Sequence, residues 1–254
     1  MRILGIKTPL IEPSDDIDEV ILNSVKSEDS EIKVDDGDIL VIASSAISTT
    51  LGEIKELEKV DPTERARSLA KEANLDEDFT EVVLHEADKI LETFEKCILT
   101  LKNGMIRINA GVDRTNIPKG RVLTLPEDSE KVAKNIEKNI ESETGKDIGV
   151  VISDSHVNPL RRGTTGQAIG TSGIEEVVDC RDQSDLYDRR LQITFRGIGD
   201  QLAAAAQLVM GEADERIPAV LVKGAESFLG ENGKKLKIPP DECAYGNLLD
   251  YNEW

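Results

Sequence analysis

The sequence predicts an α+β fold of mixed sheets with helices, and three observations lead there. Short apolar runs, Ile39 to Ala43, Val150 to Ile152 and Ala219 to Val222, read as strands buried on both faces. Between them lie stretches with helical spacing, such as Val132, Ile136 and Ile140. The two kinds of element alternate without a steady βαβ rhythm, which disfavours a doubly wound sheet. Several strands end in polar clusters, so the connecting loops are expected to build one shared site. The expected organisation is a single domain over residues 1–254, with 224–254 as a divergent tail.

In chain order, Ile3 to Ile6 is a short strand, followed by a loop around Pro9 and Pro13. Ser14 is placed to cap a helix with Asp15 and Asp16 in its first turn. Ile17, Val20, Ile21, Ser24 and Val25 form that helix's inward stripe. Asp35 to Asp38 is a turn before the Ile39 strand, whose end, Ser44 to Thr50, is rich in hydroxyls. That end is either a phosphate contact or a solvated loop. Asp61-Pro62-Thr63-Glu64 opens a helix, with Asp61 as cap, and Ala66, Leu69, Ala70 and Ala73 face inward. A second helix starts near Asp76, with Phe79, Val82, Val83 and Ile90 as core positions and His85 as a structural residue. Asn103-Gly104 joins two strands, Cys97 to Leu101 and Met105 to Asn109, in a type I′ hairpin. The hairpin delivers Asn109 to Asn116, whose acid and amides are either ligands or the oxygens of an Asx turn.

Glu127 to Glu143 reads as an exposed helix stopped by Gly145. The acids Asp179, Asp182, Asp185 and Asp188 read as a solvated face. Leu191 to Phe195 is an expected strand, and Gln201 to Met210 an alanine-rich helix ending at Gly211. From Lys223 the chain is polar and turn-rich, with an aromatic-acidic ending.

The formal net charge of −19 over 254 residues argues against nucleic acid and anionic membranes as partners. Three widely spaced cysteines form no disulfide framework, and no apolar run reaches membrane-spanning length. A soluble, cytoplasmic protein is expected.

Gly149 to Gly173, GVVISDSHVNPLRRGTTGQAIGTSG, carries the most chemistry. Polar oxygens appear at Ser153-Asp154-Ser155, then Arg161 and Arg162, then Gly163, Gly166, Gly170 and Gly173 interleaved with Thr164, Thr165, Thr171 and Ser172. Hard cations take carboxylate oxygens, arginines clamp phosphate or carboxylate, and glycines let backbone N–H groups approach a phosphate. A surface loop after a buried strand is the alternative. No G-x-x-x-x-G-K-[ST] occurs in the chain.

Three separated motifs in order resemble one family. INAGVDRTNIPKG (Ile108 to Gly120), GVVISDSHVNPLRRGTTGQAIGTSGI (Gly149 to Ile174) and GIGDQLAAAAQLVMGEADERIPAVLVKG (Gly197 to Gly224) are similar to the coenzyme F420-0:L-glutamate ligases. The early segments DDGDILVIASSAIS and LEKVDPTERA look like that family too. The resemblance implies an F420 gamma-glutamyl ligase-like fold in an intertwined homodimer. It implies GTP as a substrate and Mg2+ or Mn2+ as metal, with K+ a further candidate. The implied reaction adds L-glutamate to the lactyl carboxylate of F420-0.

Carried across by motif, the resemblance makes Asp113, Asp154, Ser155 and Glu212 metal ligands. Pro9, Leu10, Ile11, Ser48, Thr49, Asn116, Val209, Met210 and Gly211 would line the nucleotide, and Arg161 or Arg162 would meet substrate or phosphate. Three departures stand out. Ser48-Thr49-Thr50-Leu51-Gly52-Glu53 replaces the family's usual S-K-A-E-G-R, so a lysine is missing. Asp154-Ser155-His156-Val157-Asn158 replaces D-T-x-G-R, so a glycine and an arginine are missing. The tail after Gly224 lacks an arginine-acid-acid ending. A ligase for another amine and carboxylate, a paralogue that binds nucleotide or an F420-like ligand without ligation, and a metal-dependent hydrolase are the competing functions.

Overall fold

The computed structural model describes residues 1–27, 31–230 and 233–246. The expected aromatic-acidic ending at 247–254 lies outside the described residues. The chain gathers into two compact units, one of Met1–Gly52 and Pro126–Leu236, the other of Glu53–Leu125 with the described tail from Lys237.

The first unit begins with β1 (Arg2–Ile6), α1 (Ile17–Lys26), β2 (Ile39–Ala43) and α2 (Ser44–Leu51). The cap of α1 is Asp16 rather than Ser14: its Oδ1 accepts the N–H of Asp18 at 2.9 Å and of Glu19 at 3.2 Å. Asp15 is engaged outside the helix, accepting the Glu12 N–H at 2.7 Å.

The hydroxyl-rich segment after β2 is a helix, which corrects the expected loop. Ser and Thr favour helices weakly, but here their hydroxyls bond back into the turn below. Thr49 Oγ1 donates to the Ser45 carbonyl at 2.8 Å and Thr50 Oγ1 to that of Ile47 at 3.0 Å. Ile47 is fully buried beneath them.

The second unit holds β3 (Ile54–Glu56), α3 (Glu64–Ala73), α4 (Glu77–Glu86), β4 (Lys89–Phe94), β5 (Cys97–Lys102), β6 (Met105–Ile108) and β7 (Arg121–Leu123). Thr63, not Asp61, caps α3, and its Oγ1 accepts the Ala66 N–H at 3.2 Å. The nearly buried Glu81 carboxylate in turn takes the Thr63 N–H and O–H at 2.6 and 2.7 Å. Ile90 leaves the expected helix for β4, which pairs with β5 and widens the hairpin to three strands in the order β4-β5-β6. Asn103 and Gly104 both take positive φ, 52° and 71°, as a type I′ turn requires.

The chain then returns to the first unit with α5 (Ser129–Thr144), β8 (Gly149–Val157), β9 (Thr164–Ser172), β10 (Val177–Asp179), β11 (Phe195–Gly197), α6 (Ile198–Met210) and β12 (Ala219–Lys223). Its main sheet runs β1-β12-β2-β8-β9, with β2 and β8 parallel and every other neighbour antiparallel. Helices cover both faces. On one, Ile17, Ile21, Ile136 and Ile140 pack on Leu40, Ile42, Val150 and Ile152. On the other, Ile198, Leu202, Ala203 and Ala206 pack on Ile39, Val41, Val151 and Val220. Each fully buried aliphatic side chain contributes about 2 kcal/mol.

The glycine-threonine stretch expected as a phosphate loop is β9, a correction with a packing cause. A Cβ at Gly166 would lie 2.3 Å from the Ala203 carbonyl oxygen of α6, and one at Gly170 2.4 Å from the Ser129 backbone of α5. The glycines admit helix backbone to the two sides of the strand. Ile169 is an extra residue between the Gly170–Ile152 and Ala168–Ser153 pairs. The freed Ala168 N–H donates to Asp200 Oδ1 at 2.9 Å.

The expected strand Leu191 to Phe195 is shorter and later. Leu191 closes a local loop, exchanging backbone hydrogen bonds with Gln183 and Asp182 at 2.9 Å. Only Phe195–Gly197 pairs, with β10. Between β10 and the segment at Leu236 sits Glu176, buried, accepting from Thr171 Oγ1 at 2.9 Å, Lys235 Nζ at 2.6 Å and the Leu236 N–H at 3.0 Å. Burial alone would raise its pKa. The bonds from Lys235, Leu236 and Thr171 outweigh that and hold it below the ordinary 4.5.

Candidate active site

Beyond Ser153 the β2 pairing ends at Ala43, and β8 continues to Val157 beside β9 as a two-stranded ribbon. Side chains alternate across it. Ser155 points to the α6 side and Asp154 to the α2 side, where Asp154 Oδ1 accepts from Ser44 Oγ at 2.7 Å. Ser44 is buried and opens α2 directly after β2, so the partner of Asp154 is fixed by the core.

On the α6 side four polar residues converge. Gly211, with φ 72°, ends α6 and turns the chain so that Glu212 lies back beside Gln207 of the last helical turn. The Glu212 carboxylate accepts from Ser155 Oγ at 2.9 and 3.1 Å, from Thr164 Oγ1 at 2.9 Å and from Gln207 Nε2. Gln207 Nε2 also donates to Ser155 Oγ at 3.1 Å. Just below, Glu215 Oε2 takes the Ala213 N–H at 2.8 Å, bracing the turn. Ser155, Thr164 and Glu212 are exposed, and the atoms they offer a cation are all oxygen, while Gln207 turns its NH2 toward them. Such a set suits a hard cation, whereas soft metals want sulfur. Among the described residues, no three His, Cys, Asp or Glu side chains converge as a metal cluster.

Arg161 and Arg162 stand in the exposed turn at the ribbon's tip, where the Arg161 N–H donates to the Asn158 carbonyl at 3.1 Å. Among the described residues neither guanidinium is in an ion pair. Of the expected nucleotide contacts, Pro9 and Leu10 are exposed and Ile11 packs against the core. Ser48 is 1% exposed, and the Thr49 hydroxyl is spent on its own helix. Val209 and Met210 pack into the α6 core, leaving backbone and Gly211 as what this segment presents.

Asp113 and Asn116 lie in the second unit. Asp113 Oδ1 accepts the Thr115 N–H at 2.9 Å and Oδ2 the Thr115 hydroxyl at 2.5 Å, an Asx turn. Its backbone bridges to Leu123 in both directions at 2.9 Å. Arg114 turns to α4, pairing with Asp76 at 2.6 Å and lying 4.0 Å over the Phe79 ring. Asn116 takes φ 52°.

Sequence reasoning missed Gln207. The available signal was a lone amide in the last turn of an otherwise alanine-rich helix, five residues before an acid. Thr164 and Ser44 fell within the hydroxyl-rich stretches, but nothing in the sequence paired them with Glu212 and Asp154.

A sequence model of the F420-0:Gamma-glutamyl ligase family matches residues 5–224. The coenzyme F420:L-glutamate ligase of Methanopyrus kandleri is 40% identical over 220 residues, covering 86% of this chain and 84% of its own. That of Methanocaldococcus jannaschii is 38% identical over 249 residues, 97% of each. That of Archaeoglobus fulgidus is 38% identical over 216 residues, 85% and 84%. The protein is thus an enzyme of the amide-forming ligase class. Within that class, the chain belongs to the F420-0:gamma-glutamyl ligase family. Among the described residues no helix is long and apolar enough to cross a membrane.

Proposed function

We propose that this ligase joins L-glutamate to the lactyl carboxylate of coenzyme F420-0 at the cost of GTP, with a bound Mg2+ or Mn2+. The observation that carries it is the Glu212–Ser155–Thr164–Gln207 cluster, a hard-donor site at the end of a ribbon in a chain of this family. A free carboxylate is a poor acyl donor. Its oxygen would take the γ-phosphoryl group of GTP, releasing GDP, and the glutamate amine would then displace phosphate from the acyl carbon and lose a proton. A divalent cation supplies charge neutralisation for the gathered phosphates. Glu212 and Ser155 would hold it from the α6 side. Asp154, on the opposite α2 face of the ribbon, would serve a separate ion, and Asp113, in the second unit, is a candidate ligand by motif. Arg161 and Arg162 are forked donors for phosphate or carboxylate on the same ribbon. They are the cations this ribbon offers where Thr49 and Asn158 stand in place of lysine and arginine. The Pro9–Ile11 loop and the Gly211 backbone would hold the nucleotide, and Asn116 is a candidate nucleotide contact by motif. K+ as a further ion and the homodimer belong to the same proposal.

Purified protein is incubated with F420-0, L-glutamate, GTP and Mn2+ or Mg2+, and each component is omitted in turn. Mass spectrometry is expected to show glutamylated F420 only in the complete mixture. Folded protein that forms no such product, yet releases phosphate when offered another acid and amine, would move the acceptor elsewhere. The missing cations at positions 49 and 158 are what give that second outcome its weight.

A further inference from the structure

We infer that Gln207 is a positioning residue for the cation: its side-chain amide fixes Ser155 and Glu212 as a preformed ligand pair. The inference rests on Glu212 holding a divalent ion, as proposed above. Three observations support it.

First, the amide can face only one way. A carboxylate accepts and does not donate, so the group Gln207 turns to Glu212 must be its NH2. The same nitrogen donates to Ser155 Oγ at 3.1 Å. Ser155 is then an acceptor from Gln207 and a donor to Glu212 at 2.9 Å, which sets its hydroxyl proton toward the carboxylate. Second, the pair is otherwise weakly held. Ser155 and Glu212 are exposed and come from elements 57 residues apart, and short polar side chains in water do not keep one rotamer by themselves. Third, Gln207 is on rigid ground. Its carbonyl accepts the Gly211 N–H at 3.0 Å, and the next helical turn back holds Ala203 against Gly166, the strand partner of Ser155. One helix turn thus references both ligands to the same backbone.

Thr164, donating to Glu212 at 2.9 Å, supports one carboxylate from β9 but does not reach both ligands among its observed bonds. Gln207 is the residue that bonds to both members of the directly bonded Ser155–Glu212 pair.

The test titrates Mn2+ into nucleotide-free protein and follows free Mn2+ by electron paramagnetic resonance, for wild type, Gln207→Met, Gln207→Glu, Glu212→Gln and the Gln207→Met/Glu212→Gln double variant. Thermal melts verify folding. Gln207→Met is expected to weaken Mn2+ binding about tenfold at an unchanged Tm, within the range seen when a residue behind a ligand is removed. Glu212→Gln is expected to weaken it far more, and the double variant to match Glu212→Gln alone, since Gln207 acts through that ligand. In ligation assays Gln207→Met should raise the Mn2+ concentration giving half-maximal rate and leave kcat at saturating Mn2+ near wild type. Gln207→Glu, which keeps the shape but replaces a donor with an acceptor, should not restore wild-type metal dependence. Mn2+ binding by Gln207→Met equal to wild type, alongside loss in Glu212→Gln, would overturn the role of Gln207 and leave Glu212 as a ligand. Equal binding by wild type and Glu212→Gln would overturn both.

Discussion

Glu212 and Asp113 are acids that stand just past a regular element, and they are held in opposite ways. Both oxygens of Asp113 are taken by Thr115, two residues on, so its geometry is settled by a three-residue stretch. Glu212 is held by residues from β8, β9 and α6, up to 57 positions away. A locally satisfied acid keeps its place whatever the rest of the unit does. An acid satisfied from afar exists as a site only while the sheet and helix beneath it are in register.

The largest test of that contrast touches neither Glu212 nor the three side chains around it. Gly166→Ala would drive a methyl group into the Ala203 backbone and push α6 from the ribbon. A loss of about 3 kcal/mol in chemical denaturation is expected, together with loss of Mn2+ binding, while the Asp113 turn persists. If the variant binds Mn2+ like wild type, the cluster does not depend on the α6–β9 contact.

Glu176 sharpens the contrast from the acid side, being another carboxylate held from afar. Its folded-state pKa lies below 4.5 because Lys235, Leu236 and Thr171 outweigh its burial. The sign follows: the unfolded chain binds the proton more readily, so this stabilisation is full above pH 4.5 and fades as pH falls through the lower folded value. Glu176→Gln should therefore lower stability at pH 7 and flatten the decline below pH 4.5. Parallel pH–Tm curves for the two proteins would remove Glu176 from the acid response.

The smallest effect falls on the local acid. Thr115→Val removes one exposed hydroxyl bond and leaves the Thr115 N–H on Asp113. A cost of about 1 kcal/mol or less is expected, read by denaturation. A much larger loss would mean that the turn supports more than itself.

The same contrast explains what the sequence made legible. Ile39 to Ala43, Val150 to Ile152 and Ala219 to Val222 read correctly as buried strands, because an apolar run announces its burial without help. Asn103-Gly104 and Gly145 read correctly because their backbone angles are a property of the dipeptide or cap itself. The Asx turn at Asp113 was one of two readings the residues offered, again a local one. β9 was misread as a loop because Gly166 and Gly170 answer to helices about 40 residues away on either side of it in sequence. α2 was misread because its serines and threonines disfavour a helix until Ile47 is buried. Asp154 and Glu212 were named by motif, but their partners Ser44, Thr164 and Gln207 come together only through the strand order and the close α6 packing.

The ribbon carries one more consequence. From Val150 to Ser153, β8 has a strand on each side; from Asp154 to Val157 it has β9 alone. Protection against amide hydrogen exchange therefore falls along a single strand. Val150 to Ile152 release their protons only when the sheet comes apart, and the residues beyond Ser153 do so by parting from one neighbour. The end that bears Asp154 and Ser155 can breathe on a faster clock than the core it grows from, so ligands can settle there without the sheet having to yield.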